Sequence, residues 1–236
     1  MNTLKIKINY LTYLVIVLFL FSGFKNNLKY ILLVFTVHEL GHIFFCKLFK
    51  VEIISVEVYP FGGVIKLNNF INSSLIMQFL ISSGGLIFQL FLFFIKNPFI
   101  NSYNMYFLLI NIIPVIPLDG SKILLNTLCC FFSYYKSLII TNFISIFSLI
   151  IVIFFTRNIT FFIFSLVFII RDLRNFLYYF NKFLLERYLY DFNYKKSKNY
   201  KKLDLKKLKI GKLGYFYENK WKSEKYFLAK KFDKNL

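Results

Sequence analysis

Between Thr36 and Ile43 the chain reads Thr-Val-His-Glu-Leu-Gly-His-Ile, which puts His38, Glu39 and His42 within five residues. Side chains four apart on an α-helix project from nearly the same face, separated by about 6 Å of rise. Two imidazoles so placed can bind one zinc ion, and a glutamate one step round the helix can act as general base toward an attacking water. As a bare pattern this spacing has many accidental matches, and its setting is what sharpens it. His38 and His42 are the only histidines of the chain, and the run that carries them is apolar. A membrane helix resists three ionisable groups within five residues unless they are paired or functional. The bland alternative, two histidines and a glutamate hydrogen-bonded in a bundle core, gives no reason for every histidine to fall at this spacing.

A catalytic zinc site normally has three protein ligands and one open position. Cys46 is four residues beyond His42, yet about 12 Å of helix separates it from His38, too far for zinc bonds of about 2.0–2.3 Å. The other carboxylates before Arg171 are Glu52 and Glu57, in a strand-like segment, and Asp119, in an interrupted membrane span. Asp119 is the best third ligand and Glu57 the next. Besides Glu39, Asp119 is the one acidic residue in a membrane span, so each accounts for the burial of the other. A helix N-cap after Pro117 is the other role open to Asp119, and the two roles are compatible.

The elements that must hold these residues follow from composition. Of 236 residues, 58% are hydrophobic, 22% aromatic and 17% charged, where a soluble domain has about 45–50% apolar and about 25% charged residues. The excess must face lipid, which excludes a water-soluble globule. Against the roughly 20 residues needed to cross a bilayer, apolar runs mark spans at about residues 10–24, 30–49, 74–95, 103–132 (broken), 137–156 and 159–170. The first reads as a retained anchor, because Phe21-Ser-Gly-Phe is a poor cleavage site for a signal peptide. In the fourth, Asn111, Pro114, Pro117, Asp119 and Gly120 interrupt the helix, and such backbone survives at membrane depth only where protein or a wet cavity satisfies it. Ser82-Ser-Gly-Gly in the third permits close helix packing.

Between the second and third spans, alternation in Val51 to Tyr59, a turn at Pro60-Phe-Gly-Gly and a return through Val64 to Leu67 predict a short β-hairpin. Cys46, Cys129 and Cys130 lie in apolar runs and suggest no disulfide framework. From Arg171 onward the texture changes: 19 Lys and Arg stand against 7 Asp and Glu, about +12 of the total +19. The expected fold is thus an all-α polytopic membrane protein with about six transmembrane helices. Residues 1–170 form the membrane domain, and 171–236 form a basic C-terminal cytoplasmic tail. The positive-inside rule puts the tail in the cytoplasm, and an even number of spans puts the N-terminus there too, in a multi-pass protein of the cell membrane. The tail either lies on the anionic inner leaflet or forms a solvated domain. Nucleic acid is not an expected partner, since charge alone speaks for it.

His38-Glu-Leu-Gly-His42 followed by Asn111-Ile-Ile-Pro-Val-Ile-Pro-Leu-Asp119-Gly120 resembles the site-2 protease family of intramembrane zinc metalloproteases, peptidase family M50. Tyr59-Pro-Phe-Gly-Gly-Val-Ile-Lys resembles the segment between the two motifs in the branch that includes the bacterial stage IV sporulation protease. The resemblance covers roughly residues 10–170. It implies one zinc ion per chain on His38, His42 and Asp119, Glu39 as catalytic base, and Asn111 near the metal. Where the family commonly has two glycines after the aspartate, this chain has Gly120-Ser121 and keeps a small residue. Some relatives carry a PDZ domain or a C-terminal CBS domain, and neither is expected here; the tail is too short and too basic for a paired CBS unit.

The implied reaction is hydrolysis of a peptide bond in or near the transmembrane segment of a membrane-tethered protein, as in regulated intramembrane proteolysis. A helical substrate keeps its carbonyls in its own hydrogen bonds and must unwind before attack. The hairpin, with its turn at Phe61, Gly62 and Gly63, offers a strand edge for the unwound peptide; the plainer reading is that it plugs the bundle. Asn111 is placed to orient the substrate or its oxyanion. The alternative function is a catalytically inactive zinc-binding membrane protein or metal carrier. A transporter, however, needs further polar positions along a path through the spans.

Overall fold

The computed structural model describes residues 5–21, 25–59, 62–68, 70, 73–156, 170, 176–190 and 197–233. The chain divides into two compact units, residues 1–70 with 80–112, and residues 71–79 with 113–236.

In the first unit, β1 (Lys5–Ile8) leads into α1 (Tyr10–Phe21) and α2 (Lys25–Leu48). β2 (Ile53–Tyr59) and β3 (Gly62–Leu67) follow, then most of α3 (Leu75–Leu92) and α4 (Pro98–Ile112). The 24 residues of α2 extend about 36 Å at 1.5 Å per residue, enough for a hydrocarbon layer of about 30 Å. Among the described residues, three helical stretches are long and apolar enough to cross a membrane: Asn27–Leu48, Leu75–Leu92 and Tyr134–Val152. Leu40, Phe44 and Leu48 face outward from α2, as lipid contact requires. Val34, Leu92 and Ile100 form a buried cluster, with Tyr30, Val37, Tyr103 and Phe107 packed against it.

Close approach of α2 and α3 depends on glycine. A Cβ on Gly84 would lie 2.6 Å from the Gly41 carbonyl oxygen, and one on Gly41 would meet the Gly84 carbonyl closer still, so the two helices touch backbone to backbone. The end of α2 is sharply set. Val51 N–H donates to the Cys46 carbonyl at 2.9 Å and Lys50 N–H to that of Lys47 at 3.1 Å, with Lys50 at φ 55°. These two bonds form a Schellman motif, with lysine where glycine is usual. The chain then turns directly into β2, which pairs antiparallel with β3 and, on its other side, parallel with β1. That third strand is not among the elements expected from the sequence.

The second unit holds α5 (Asp119–Phe131), α6 (Tyr134–Thr156), α7 (residues 176–189), β4 (Ser197–Tyr200), β5 (Leu213–Glu218), β6 (Lys220–Ser223) and α8 (Glu224–Phe232). The expected broken fourth span resolves into α4 and α5, joined by the non-helical residues 113–118. There Ile116 N–H donates to Ser145 Oγ at 3.1 Å and Leu118 N–H to the Val115 carbonyl at 2.7 Å, which meets the requirement that irregular backbone be satisfied. The expected sixth span, 159–170, lies outside the described residues apart from Ile170.

The segment after Arg171 departs from the all-α expectation. It carries a three-stranded sheet ordered β4-β5-β6, because its apolar residues converge while its lysines stay outside. Phe183, Leu184, Leu208, Phe216 and Leu228 are buried in one cluster with Cys129, Tyr134 and Leu138. Arg187 lies at the centre, its Nε donating to Glu224 at 2.9 Å and its terminal nitrogens to the Lys209 and Lys212 carbonyls at 3.0 and 2.7 Å.

Candidate active site

The helix α2 presents His38 and His42 inward, 3% and 7% exposed, while Glu39, one step round, is half-buried. The four-residue spacing brings the two Nε2 atoms to 3.2 Å. The far side of each ring is occupied. His42 Nδ1 faces the Ile81 carbonyl at 2.7 Å. That oxygen only accepts, so the proton is on Nδ1 and the lone pair on Nε2. His38 Nδ1 faces Gln89 Oε1 at 3.0 Å, with the same consequence. Two Nε2 lone pairs converging at this distance are reconciled by a proton or a metal ion between them. Two ligands bonded at about 2.0–2.1 Å to one tetrahedral ion are about 3.3 Å apart, so the imidazole pair fits the bite of zinc.

Two glycines make room for this arrangement. A Cβ on Gly85 would fall within 2.6 Å of both nitrogens of the His38 ring, and one on Gly63 would overlap the Glu39 carboxylate. In place of a side chain, Gly63 offers its N–H, which donates to Glu39 Oε1 at 2.8 Å. The expected base is thus held by the backbone of β3. The Phe107 ring stands edge-on to His38, 5.1 Å between centroids.

The other expected residues are placed as follows. Asn111 is buried in α4 and donates to the Phe107 carbonyl of its own helix at 3.0 Å. Gly62 begins β3, with open space where a Cβ would stand, and Phe61 lies outside the described residues. Asp119 belongs to the second unit, where it is 4% exposed at the first position of α5. It is not the N-cap: that position is Leu118, and no side chain caps the helix. A carboxylate in the first turn is favoured by the helix dipole, and Lys122 Nζ pairs with Asp119 Oδ1 at 2.7 Å.

Glu57, the reserve ligand, is engaged elsewhere. It accepts from Lys66 Nζ at 2.7 Å and from the Tyr59 hydroxyl at 3.1 Å, and the Lys66 ammonium beside it holds its carboxyl below the usual range. Glu52 accepts from Asn68 at 2.9 Å. Among the described residues, buried donors of the kinds that hold a metal ion include the imidazoles of His38 and His42 in the first unit and the Asp119 carboxylate in the second. Sequence reasoning missed Gln89, Asn104 and Lys122. The first two left a signal, since a buried amide in an apolar helix needs a partner.

No family model matches the chain. Stage IV sporulation protein FB of Bacillus subtilis (strain 168) is 29% identical over 134 residues, 51% of this chain and 46% of that protein. The chain therefore spans about half the length of the curated relative it matches. The site-2 protease from Methanocaldococcus jannaschii shares its fold over 74% of this chain and 92% of that one, with a TM-score of 0.55 and 22% identity. The chain is thus similar in sequence, over about half its length, to a sporulation protein, and it shares the fold of a site-2 protease.

Proposed function

We propose that the protein is an intramembrane zinc metalloprotease that hydrolyses a peptide bond in or near the transmembrane segment of a membrane-tethered protein. The observation that carries this reading is the His38–His42 pair, whose Nε2 atoms converge at 3.2 Å while acceptors hold both Nδ1 positions. His38, His42 and Asp119 would hold one zinc ion. When bound, the ion would supply a Lewis acid for the scissile carbonyl and would lower the pKa of water at the site. Glu39 takes the proton of the attacking water and hands it to the leaving amine. The Gly63 N–H keeps one Glu39 oxygen engaged, which orients the carboxylate without neutralising it.

The substrate must leave its helical hydrogen bonds before attack, and β3 is the edge of its sheet. An unwound peptide laid along this edge, near the turn at Phe61, Gly62 and Gly63, gains main-chain hydrogen bonds in return, and Asn111 orients it. In this reading the chain crosses the cell membrane about six times with both termini in the cytoplasm. The basic surface after Arg171 faces the anionic inner leaflet. The test is a Glu39→Gln protein expressed in its native membrane. Captured polypeptides with a transmembrane segment, cleaved by the unaltered protein, support the reading. A Glu39→Gln protein that still cleaves them overturns it.

A further inference from the structure

Two amides beside the imidazole pair have no part in the chemistry above. Gln89 of α3 and Asn104 of α4 are both 0% exposed. Asn104 Nδ2 donates to the Gln89 main-chain carbonyl at 2.9 Å, Gln89 Nε2 donates to Asn104 Oδ1 at 3.2 Å, and Gln89 Oε1 faces His38 Nδ1 at 3.0 Å. A direction runs through these bonds. The main-chain carbonyl can only accept, so Asn104 must turn its NH2 toward it, which aims Oδ1 at the Gln89 side chain. Oδ1 accepts only from the NH2 end of that side chain, so Oε1 is the end left for His38. An acceptor at Nδ1 keeps the proton there and the lone pair on Nε2.

We propose that Asn104 and Gln89 are positioning residues for the metal centre. Asn104 fixes which end of the Gln89 amide meets His38, and Gln89 thereby fixes the imidazole tautomer whose Nε2 can ligate zinc. The inference rests on the reading that His38 holds zinc. The two ends of an amide have nearly the same shape. Without Asn104, Gln89 can turn half a revolution about its last torsion and present NH2 to Nδ1. The lone pair is then favoured on Nδ1 and the proton on Nε2, where it blocks ligation. His42 needs no such relay, because the Ile81 carbonyl holds its Nδ1 proton directly. Partners one step behind a metal-bound imidazole generally set its tautomer and basicity, and their loss costs about 10- to 100-fold in metal affinity.

The test is zinc titration of the full-length, detergent-solubilised protein in competition with a chelating dye, across two backgrounds. With Gln89 present, Asn104→Leu is expected to weaken zinc binding about 10-fold or more. Gln89→Glu is expected to retain tight binding, because both carboxylate oxygens accept and the group has no wrong end. In that background Asn104→Leu should change zinc affinity by less than about twofold. If the two amides serve only to pack α3 against α4, Asn104→Leu costs the same in both backgrounds, and the proposal fails. It fails equally if Asn104→Leu alone leaves zinc affinity unchanged. Should the leucine variant not fold, Asn104→Ala, which removes the same acceptor with a smaller side chain, is measured in both backgrounds: a zinc loss of about 10-fold that disappears with Gln89→Glu supports the relay, and an equal loss in both overturns it. An unaltered protein that takes up no zinc overturns the metal reading and the relay with it, whereas zinc uptake with equal costs in both backgrounds overturns the relay alone.

Discussion

Each unit buries ionisable groups, and each handles them differently. In the second unit Arg187 is surrounded by matched partners: Glu224 and two main-chain carbonyls take its donors, and Glu224 Oε2 in turn accepts from Gly214 N–H at 2.7 Å. In the first unit the far sides of His38 and His42 are just as carefully satisfied, yet their near sides aim two lone pairs at one point. A buried charge kept for architecture closes its bonds among its neighbours. The imidazole pair is instead held by its neighbours so that its Nε2 face is left over, as the proposed chemistry needs. Burial alone therefore says little about role, and the direction of the bonds says more.

Arg187→Met breaks the closed network and leaves Glu224 buried without its counter-charge. Loss of one partner of a buried pair costs about 3–5 kcal/mol, read as a lowered unfolding midpoint in detergent. Zinc per folded chain should be unchanged; a parallel loss of zinc would erase the distinction drawn between the regions. Gly85→Ala acts on the open network. Its Cβ would displace the His38 ring from Gln89, so zinc affinity should fall about 10- to 100-fold with a smaller change in unfolding midpoint.

Gly63→Ala separates base from ligands. The new Cβ would overlap the Glu39 carboxylate and shift it from its place, so cleavage of a membrane-tethered substrate should fall about 10-fold or more while bound zinc stays constant. Equal loss of both would mean that β3 supports the helix rather than the base. The smallest effect is expected at Lys50, which holds φ 55° at the end of α2. Lys50→Gly removes the left-handed penalty and should stabilise the protein by about 1 kcal/mol, again read from the unfolding midpoint, with zinc affinity unaltered.

The parts of the candidate site legible in the sequence are those whose spacing is local or whose residue type is scarce. Residues four apart on a helix must share a face, so His38 and His42 announced themselves, and Asp119 stood out because carboxylates are so scarce before Arg171. The Glu39–Gly63 bond was not legible as a bond, although both residues had been singled out. It joins a helix to a strand 24 residues on, and no periodicity encodes such a contact. Gln89 and Asn104 were passed over for the same reason, each being an ordinary polar residue until the other is placed beside it. In the tail, Lys-rich composition hid the sheet. In β5 the buried positions are Gly214 and Phe216, flanked by Leu213, Tyr215 and Tyr217, so almost every residue is apolar or aromatic and the inward face cannot be told from the outward one. The pairing of β1 with β2 was similarly hidden, since Lys5-Ile-Lys-Ile reads as a charged flank to a membrane span.

The central claim is that His38, His42 and Asp119 hold a zinc ion on which Glu39 acts as base, and metal analysis of two purified variants beside a cleavage assay tests it most directly. Asp119→Ala removes one of three ligands, so zinc content and proteolysis should fall together. Glu39→Gln keeps the volume and removes no ligand, but an amide cannot accept the water's proton. Zinc should stay near one per chain while hydrolysis drops by a factor of about 100 to 10,000. Full zinc and full activity in Asp119→Ala, or hydrolysis at the unaltered rate in Glu39→Gln, would contradict the account.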